Sequence, residues 1–518
     1  MSYLKKIFDH GIFGLLFLAS ETKTIQEFGG KADNKTDNGP AFIQAFAFAQ
    51  THPGTTLKLG GKCRVSTSWT NETRYRYITT AYGITNLTIQ DGEVILDGTF
   101  SCFIFEKCKS LTLKNVAFDY DPPLYSQGKV LSSVRSELKV TVVPDPGYPE
   151  PYGPMFSNGS GNWMTVHKPG GEYGFQFVGF IKASVPGENG SVTLTHDRGD
   201  LAAQLDGAKD WRYVRVQRGF GHLNMFKFCD ELRLEGVRIH AASAFASLFI
   251  FCNDAVIVNS RIAPREGSDR MVSSCADGFH FIGARRGPKI EGNFFDRMQD
   301  DNIVISLRGS RVKSVNGDKL ELNPHSVTWY EVGDTIELVE INTGIRSEYK
   351  IKSMPLMDNL WNPPVMTLDR PIEGKVVATD TCGPDDLPTL AFNKSWRLDG
   401  TVIRNNRFQN TRRFAVFMGA GGVRIENNIM SNHTSAALLF SQTHPFIKSN
   451  RADLIYYLSE NFVVASNRIY NAQNYGEGGR IFAGRMNGAI DLYDFEGSGG
   501  RDTSGLKDAP LARNLEIR

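Results

Sequence analysis

Apolar and polar positions follow one short repeated phrase along this chain: an aliphatic residue, a spacer, a small polar pair, a second spacer and another apolar residue. Copies read NLTIQDGEVIL at Ile89, SLTLKNVAF at Leu113, ELRLEGVRI at Leu234 and AVIVNSRI at Ile257. Further copies are PKIEGNFF at Ile290, TVIRNNRF at Ile403, VRIENNIM at Ile425 and FVVASNRI at Val464. Five places beyond each anchor the residue is apolar: Val94, Phe118, Ile239, Ile262, Phe295, Phe408, Met430 and Ile469. The closely spaced anchors stand about 23 residues apart, which holds two or three short strands with a turn and is too short for a helix pair. The polar pair, often Asn-Asn or Asn-Ser, falls where the chain must turn. Asparagine tolerates the left-handed conformation there, and stacked copies can hydrogen-bond along the axis. One such coil cannot bury its apolar side alone, so coils must stack. The pattern predicts an all-β chain, a right-handed parallel β-helix.

Other segments are placed by this frame. Residues 1–20 carry Lys5 and Lys6 ahead of the apolar run Ile12 to Ala19, as a secretory signal does, so a secreted or periplasmic location is expected; the alternative is an ordinary amphipathic first helix. Residues 21–119 are read as an N-terminal cap and first coils. Pro40 opens an amphipathic helix over Ala41 to Gln50, suited to covering the open apolar end of the first coil. Asp33 and Asp37 in that stretch read as turn formers. Two long gaps in the repeat, 120–226 and 309–392, are strand-like and rich in turn residues, which predicts two inserted antiparallel barrels or sandwiches. Coils are expected over 227–308, with the chemistry, and over 393–518.

Composition adds little beyond exclusions. A formal net charge of +2 over 518 residues gives no reason to propose a nucleic-acid partner, and no stretch approaches a membrane span. Seven cysteines with no C-x-x-C pair do not form a disulfide scaffold or a zinc site. Cys108, Cys229 and Cys252 share one phase of the repeat, which predicts an inward stack of thiols.

The chemistry concentrates in SCADGFHFIGARRGPKIEGNFFDRMQDDNIVIS, Ser274 to Ser306. Asp277 and Asp300 stand about one coil apart, so their carboxylates are expected one above the other, about 4.8 Å apart in backbone height. Asp301 is expected to join them at a bend, all three reaching an outer groove. Carboxylates this close repel, so at least one should hold a proton near neutral pH. Glycoside cleavage needs that division: a protonated acid and an ionised base or nucleophile. The same aspartates could instead form a turn ladder or a calcium site. Arg413, beside Arg412, falls at the aspartates' phase on the next coil and could hold a sugar hydroxyl, or be plain surface charge. His280 could line the same groove or be a structural histidine. Tyr120, Asp121 and Gln127 stand where the first insertion leaves the coil and could wall the groove. Trp163, Trp211, Trp329 and Trp361 lie in the insertions and offer faces to sugar rings, or cores to the barrels.

FDYDPPLYSQG, CADGFHF, RRGPKIEGNFF and MQDDNIVI, with two inserted β domains, together resemble glycoside hydrolase family 110, α-galactosidases acting on α-1,3-linked galactose. The resemblance spans nearly the whole chain beyond the leader. It implies exo-removal of terminal galactose with inversion, no cofactor, and Asp277, Asp300 and Asp301 as the catalytic set. More distantly, the Asp-Gly then Asp-Asp spacing is similar to that of family 28 polygalacturonases. By that analogy Asp300 is the acid, and Asp277 and Asp301 serve as base. The Gly-His-Gly and Arg-Ile-Lys motifs of family 28 are missing from FAVFMGAGGVRIENN, which argues against pectin as substrate. Where family 110 often has Trp-x-Glu-Ser-Gly, this chain reads YYLSENFVV, with Tyr457 and Glu460 in altered order; Glu460 is the sugar-binding candidate there.

Two rival classes share the scaffold. A polysaccharide lyase would need calcium or a Lys/Arg base near an acidic sugar. A non-catalytic glycan-binding or tailspike-like protein would keep its carbohydrate affinity after Asp300→Asn.

Overall fold

A computed structural model describes residues 21–66, 76–156, 163–167, 176–197, 205, 207, 210–218, 221–324, 326–341, 343–381, 383, 387–442, 457, 459–472, 489–494 and 513–517. The expected leader, residues 1–20, lies outside the described residues. The chain is a right-handed parallel β-helix with an N-terminal cap and two inserted barrels. Each regular coil contributes three short strands; the coil from Val256 has Val256–Val258, Arg261–Ile262 and Phe279–Ile282. The anchors stack in register, Leu234 on Ile257, Ile257 on Ile290, Ile290 on Ile403 and Ile403 on Ile425. A second sheet stacks Ser247–Ile250, Phe279–Ile282, Ile303–Ser306 and Val416–Gly419 in parallel.

Inside, the rungs pack by like on like. Phe226, Phe249 and Phe281 lie nearly parallel, with centroids 4.8 and 4.2 Å apart. The three in-phase thiols, Cys108, Cys229 and Cys252, are buried, and their Sγ atoms meet backbone carbonyls. At the bend after the anchors Leu113, Ile257, Ile403 and Ile425 sits a left-handed asparagine, Asn115, Asn259, Asn405 or Asn427, with φ between 50 and 58°. That geometry suits asparagine among residues with a Cβ. Just beyond runs a buried amide ladder in which Asn293 donates to Asn406, Asn406 to Asn428 and Asn428 to Asn467.

The cap helix, Gly39–Thr51, has Pro in its first turn and sets Phe42 and Phe46 against Phe103, with centroids 5.0 and 5.1 Å away. Asp33 accepts from the backbone of Lys35 and Thr36, and Asp37 from that of Gly39 and Ser66, as turn formers do.

Strands Tyr125–Val134, Lys139–Pro144, Trp163–His167, Gln176–Pro186, Val192–His196 and Arg212–Val216 close into one barrel. Gly309–Asn316, Lys319–Leu322, Thr335–Glu340, Ile345–Ser353, Met366–Leu368 and Leu390–Asn393 close into a second. Each has its own apolar core. Among the described residues, no helix is long and apolar enough to cross a membrane.

Candidate active site

The register of the second sheet builds the site. Phe279 pairs with Ile303, and Ile303 with Val416. Two residues earlier on each rung, this sets Asp277 level with Asp301. Asp300 is level with Arg413. The expected one-above-the-other pair, Asp277 on Asp300, is therefore displaced by one residue, because the coil between them is one residue longer than the repeat period. The three carboxylates still converge: one oxygen from each lies within 4.8 Å of the others.

The site is not the exposed groove expected from the sequence. Asp277, Asp300 and Asp301 are each at most 5% exposed. The cover comes from three arginines and a tryptophan. Arg413 Nη1 lies 2.7 Å from Asp300 Oδ1, and its Nε 3.3 Å from Asp301 Oδ1. Arg412 Nη2 approaches Asp300 Oδ1 at 3.4 Å, while its Nε donates to the Gln299 carbonyl at 2.5 Å. Arg218, on the segment returning from the first barrel, places Nη2 2.7 Å from Asp300 Oδ2 and donates through Nε to the Cys275 carbonyl. Trp163 of that barrel lies against both Arg218 and Arg412, 4.8 and 4.2 Å from the guanidinium carbons to the ring centroid. The Phe414 N–H donates to Asp301 Oδ1.

Charge divides the three carboxyls. Burial pushes Asp300 up, but Arg413, Arg218 and Arg412 outweigh it and hold the group well below the ordinary carboxylate range. Burial raises Asp301 well above that range; Arg413 opposes it, while Asp300 and Asp277 add to the rise. Burial and then Asp300 push Asp277 up to about 7. Burial and charge thus push the three carboxyls apart: Asp300 toward its anion, Asp301 toward its protonated form, with Asp277 between them. The family 28 analogy makes Asp300 the acid, whereas here three guanidiniums surround it and favour its anion. The carboxyl oxygens are close enough to converge on a cation, but the guanidiniums already supply the countercharge, so the donor set does not fit a metal.

The remaining candidates divide. Arg412 and Arg413 do join the aspartates, although both are turned onto carboxylates rather than held out to a ligand. His280 lies in the site but is nine-tenths buried; its Nδ1 is 2.7 Å from Asp277 Oδ2, and its Nε2 has no accessible surface for a sugar. It is a partner of Asp277, not a groove residue. Tyr120 is fully buried in the coil core, its hydroxyl donating to the Phe100 carbonyl. Asp121 pairs with Arg64 of the first coils at 2.6 Å. Gln127 is buried where the first barrel meets the loop before Asp277: it donates to Asp145 and the Asp269 carbonyl and accepts from Met271 N–H. Glu460 sits at the opposite end of the sheet strands, where Arg346 of the second barrel, Arg397 and the Tyr457 hydroxyl meet its carboxylate. Tyr120, Gln127 and Glu460 are buried and hydrogen-bonded within the fold, whereas Asp121 keeps an exposed side chain beside Arg64.

Arg218 and Trp163 complete the centre, and sequence reasoning did not place them there. Neither has a phase in the repeat. Trp163, considered as a platform for sugars, is only 3% exposed and serves the arginines instead.

Fold and site together define a parallel β-helix protein with a carboxylate–guanidinium centre at the edge of one sheet. Its curated relatives are α-1,3-galactosidases, as the motifs suggested. The chain is 22% identical to α-1,3-galactosidase B of Bacteroides thetaiotaomicron over 477 residues, covering 83% of this chain and 74% of the relative. It is 22% identical to α-1,3-galactosidase A of Shewanella woodyi over 450 residues, covering 79% and 70%. Among solved structures, a family 28 exopolygalacturonase of Yersinia enterocolitica matches at 9% identity and TM-score 0.38, covering 88% of this chain and 67% of the other. A Thermotoga maritima exopolygalacturonase matches at 11% identity and TM-score 0.35, covering 87% and 75%. No family model matches the chain.

Proposed function

We propose that this protein is a glycoside hydrolase that releases terminal α-linked galactose, α-1,3-linked in the first instance, from oligo- or polysaccharides. One observation carries the reading: three carboxylates from adjacent rungs share a buried site in which neighbouring charges drive their proton affinities apart. That division supplies an acid and a base at one pH. The names of the relatives supply the sugar and linkage.

In this reading Asp301 donates its proton to the leaving glycosidic oxygen. Asp277, near 7, is the base that takes a proton from water, since a base works best near the operating pH. Asp300 stays anionic and anchors the three arginines. Arg218 and Arg413, whose side chains keep 26% and 20% exposure, mark the side from which a sugar enters.

Inversion is the outcome that the family resemblance implies. The approach of the carboxyl oxygens to within 4.8 Å favours a second reading, since retaining sites set their carboxyls about 5–5.5 Å apart and inverting ones about 6.5–9.5 Å. Incubation with a panel of α-galactosides, followed by proton NMR, tests both. Free galactose released first as the β-anomer supports inversion, and the α-anomer supports retention. No galactose from any α-galactoside ends the proposal.

A further inference from the structure

We propose that the first inserted barrel is part of the catalytic apparatus: Trp163, in contact with the guanidiniums of both Arg218 and Arg412, is a positioning residue that sets the grip of both arginines on Asp300. The inference rests on the hydrolase reading for its kinetic test and on geometry for the rest. Trp163 opens the strand Trp163–His167 and packs with Tyr125, Val214, Val216, Val272 and Cys275, so the barrel fixes its ring. A guanidinium gains from lying over an indole face, and more so when desolvated. Here two do so at 4.8 and 4.2 Å, and both then reach the same carboxylate from opposite oxygens, Arg218 to Oδ2 and Arg412 to Oδ1.

The two arginines have unequal backbone support. Arg412 belongs to the coil rung, and its Nε is fixed on the Gln299 carbonyl. Arg218 stands on the segment that returns from the barrel, so its place depends on where the barrel sits. An indole that touches both couples barrel to rung. The insertion is thus a wall of the site as well as an appendage, and a coil without it would lack one of the three charges facing Asp300.

Six groups face Asp300 and its neighbours: Arg218, Arg412 and Arg413 as cations, Asp277 and Asp301 as carboxyls, and the His280 ring on Asp277. Loosening Arg218 and Arg412 removes positive charge from Asp300, and loosening Arg218 also removes it from Asp277. Both should then protonate more readily.

The test compares Trp163→Ala, Trp163→Phe and, as a packing control in the same apolar cluster, Val214→Ala. The Trp163→Ala enzyme should lose roughly tenfold to hundredfold in kcat while keeping its fold by circular dichroism, since small misplacements of reacting groups cost that much. The rising limb of kcat/KM against pH should move up by about one unit, as withdrawal of a nearby cation does. Trp163→Phe, which keeps a ring face, should recover most of the loss, and Val214→Ala should leave the limb in place. Carbon-13 titration of Asp300 in the free protein should show the same upward move in Trp163→Ala. An unmoved Asp300 titration, or an equal move in Val214→Ala, overturns the proposal. The titration needs no substrate, so it stands even if no galactoside is cleaved and the hydrolase reading fails.

Discussion

His280 Nδ1 lies 2.7 Å from Asp277 Oδ2, on the same strand approach and three residues later in the chain. The ring is clamped, stacked on Phe245 at 4.7 Å and 15°, and burial and then Arg308 hold it well below its ordinary pKa, hence neutral. An ionised carboxylate can only accept, so whenever Asp277 acts as base the Nδ1 must carry the single ring proton. Replacing His280 with Phe removes that donor from a buried anion. The rising limb of kcat/KM should shift to higher pH, and kcat should fall by about tenfold to hundredfold, part of the roughly 10²–10⁴-fold that a general base contributes. His280→Asn, whose amide can donate from nearly the Nδ1 position, should recover part of both. A His280→Phe enzyme with an unmoved pH limb would show that the ring only fills space.

Asp300 makes the opposite demand on stability from the one its sequence suggested. As an exposed groove residue it could become Asn with little change in melting temperature. Buried among Arg218, Arg412 and Arg413, it is the anion that all three depend on. Removing one member of a buried ion network costs about 3–5 kcal/mol, because the partners remain desolvated. Asp300→Asn should therefore lower both turnover and melting temperature, by several degrees or more in a thermal scan. A variant that loses activity but melts with the wild type would return Asp300 to the groove.

Asp277 should behave in reverse. Its folded-state value, about 7, lies above that of an unfolded aspartate, about 3.9. The folded protein therefore binds more protons than the unfolded chain between those values, and the stability this group contributes is full below about 4 and is lost as pH rises through about 7. Asp277→Asn cannot ionise and avoids that loss. It should abolish turnover yet melt higher than wild type at pH 8, with the difference shrinking toward pH 4. A constant offset across that range, or a lower melting point at pH 8, contradicts the raised affinity.

What the sequence disclosed and what it hid separate along one physical line. Whatever obeys the coil period could be read from spacing. The stacked aliphatic anchors, the left-handed asparagines, the thiol column and the encounter of Arg413 with the aspartates all follow from side chains recurring at one phase. The period also misled by one residue, pairing Asp277 with Asp300 where the register brings it level with Asp301. Residues supplied by an insertion have no phase. Arg218 and Trp163 reach the aspartates through the closure of a barrel, and nothing in WRYVRVQRGF marks Arg218 as different from its neighbours. For Tyr120, Asp121, Gln127 and Glu460 a motif shows what lies together in sequence, whereas direction is decided by local partners such as Arg64 for Asp121 and Arg346 for Glu460.

The buried asparagine column offers a test of the scaffold itself. Asn406 is 2% exposed, and its Oδ1 accepts from the Asn293 N–H at 2.9 Å and the Asn293 amide at 3.0 Å. Its Nδ2 donates to the Ile290 carbonyl and to Asn428 Oδ1, each at 3.0 Å. Asn406→Ala would strand a backbone donor and a backbone acceptor inside the coil, and each such group costs about 1–3 kcal/mol. Asn410, on a second and less buried column, donates to Asp296 and accepts from Asn432 where water can replace the lost partners. In urea unfolding, Asn406→Ala should lose about 2–5 kcal/mol and Asn410→Ala about 1 kcal/mol or less, the difference measuring what burial adds to the same hydrogen bonds. Equal losses would mean that solvent reaches both columns alike, and the inner amides would then no longer explain how the rungs hold their register.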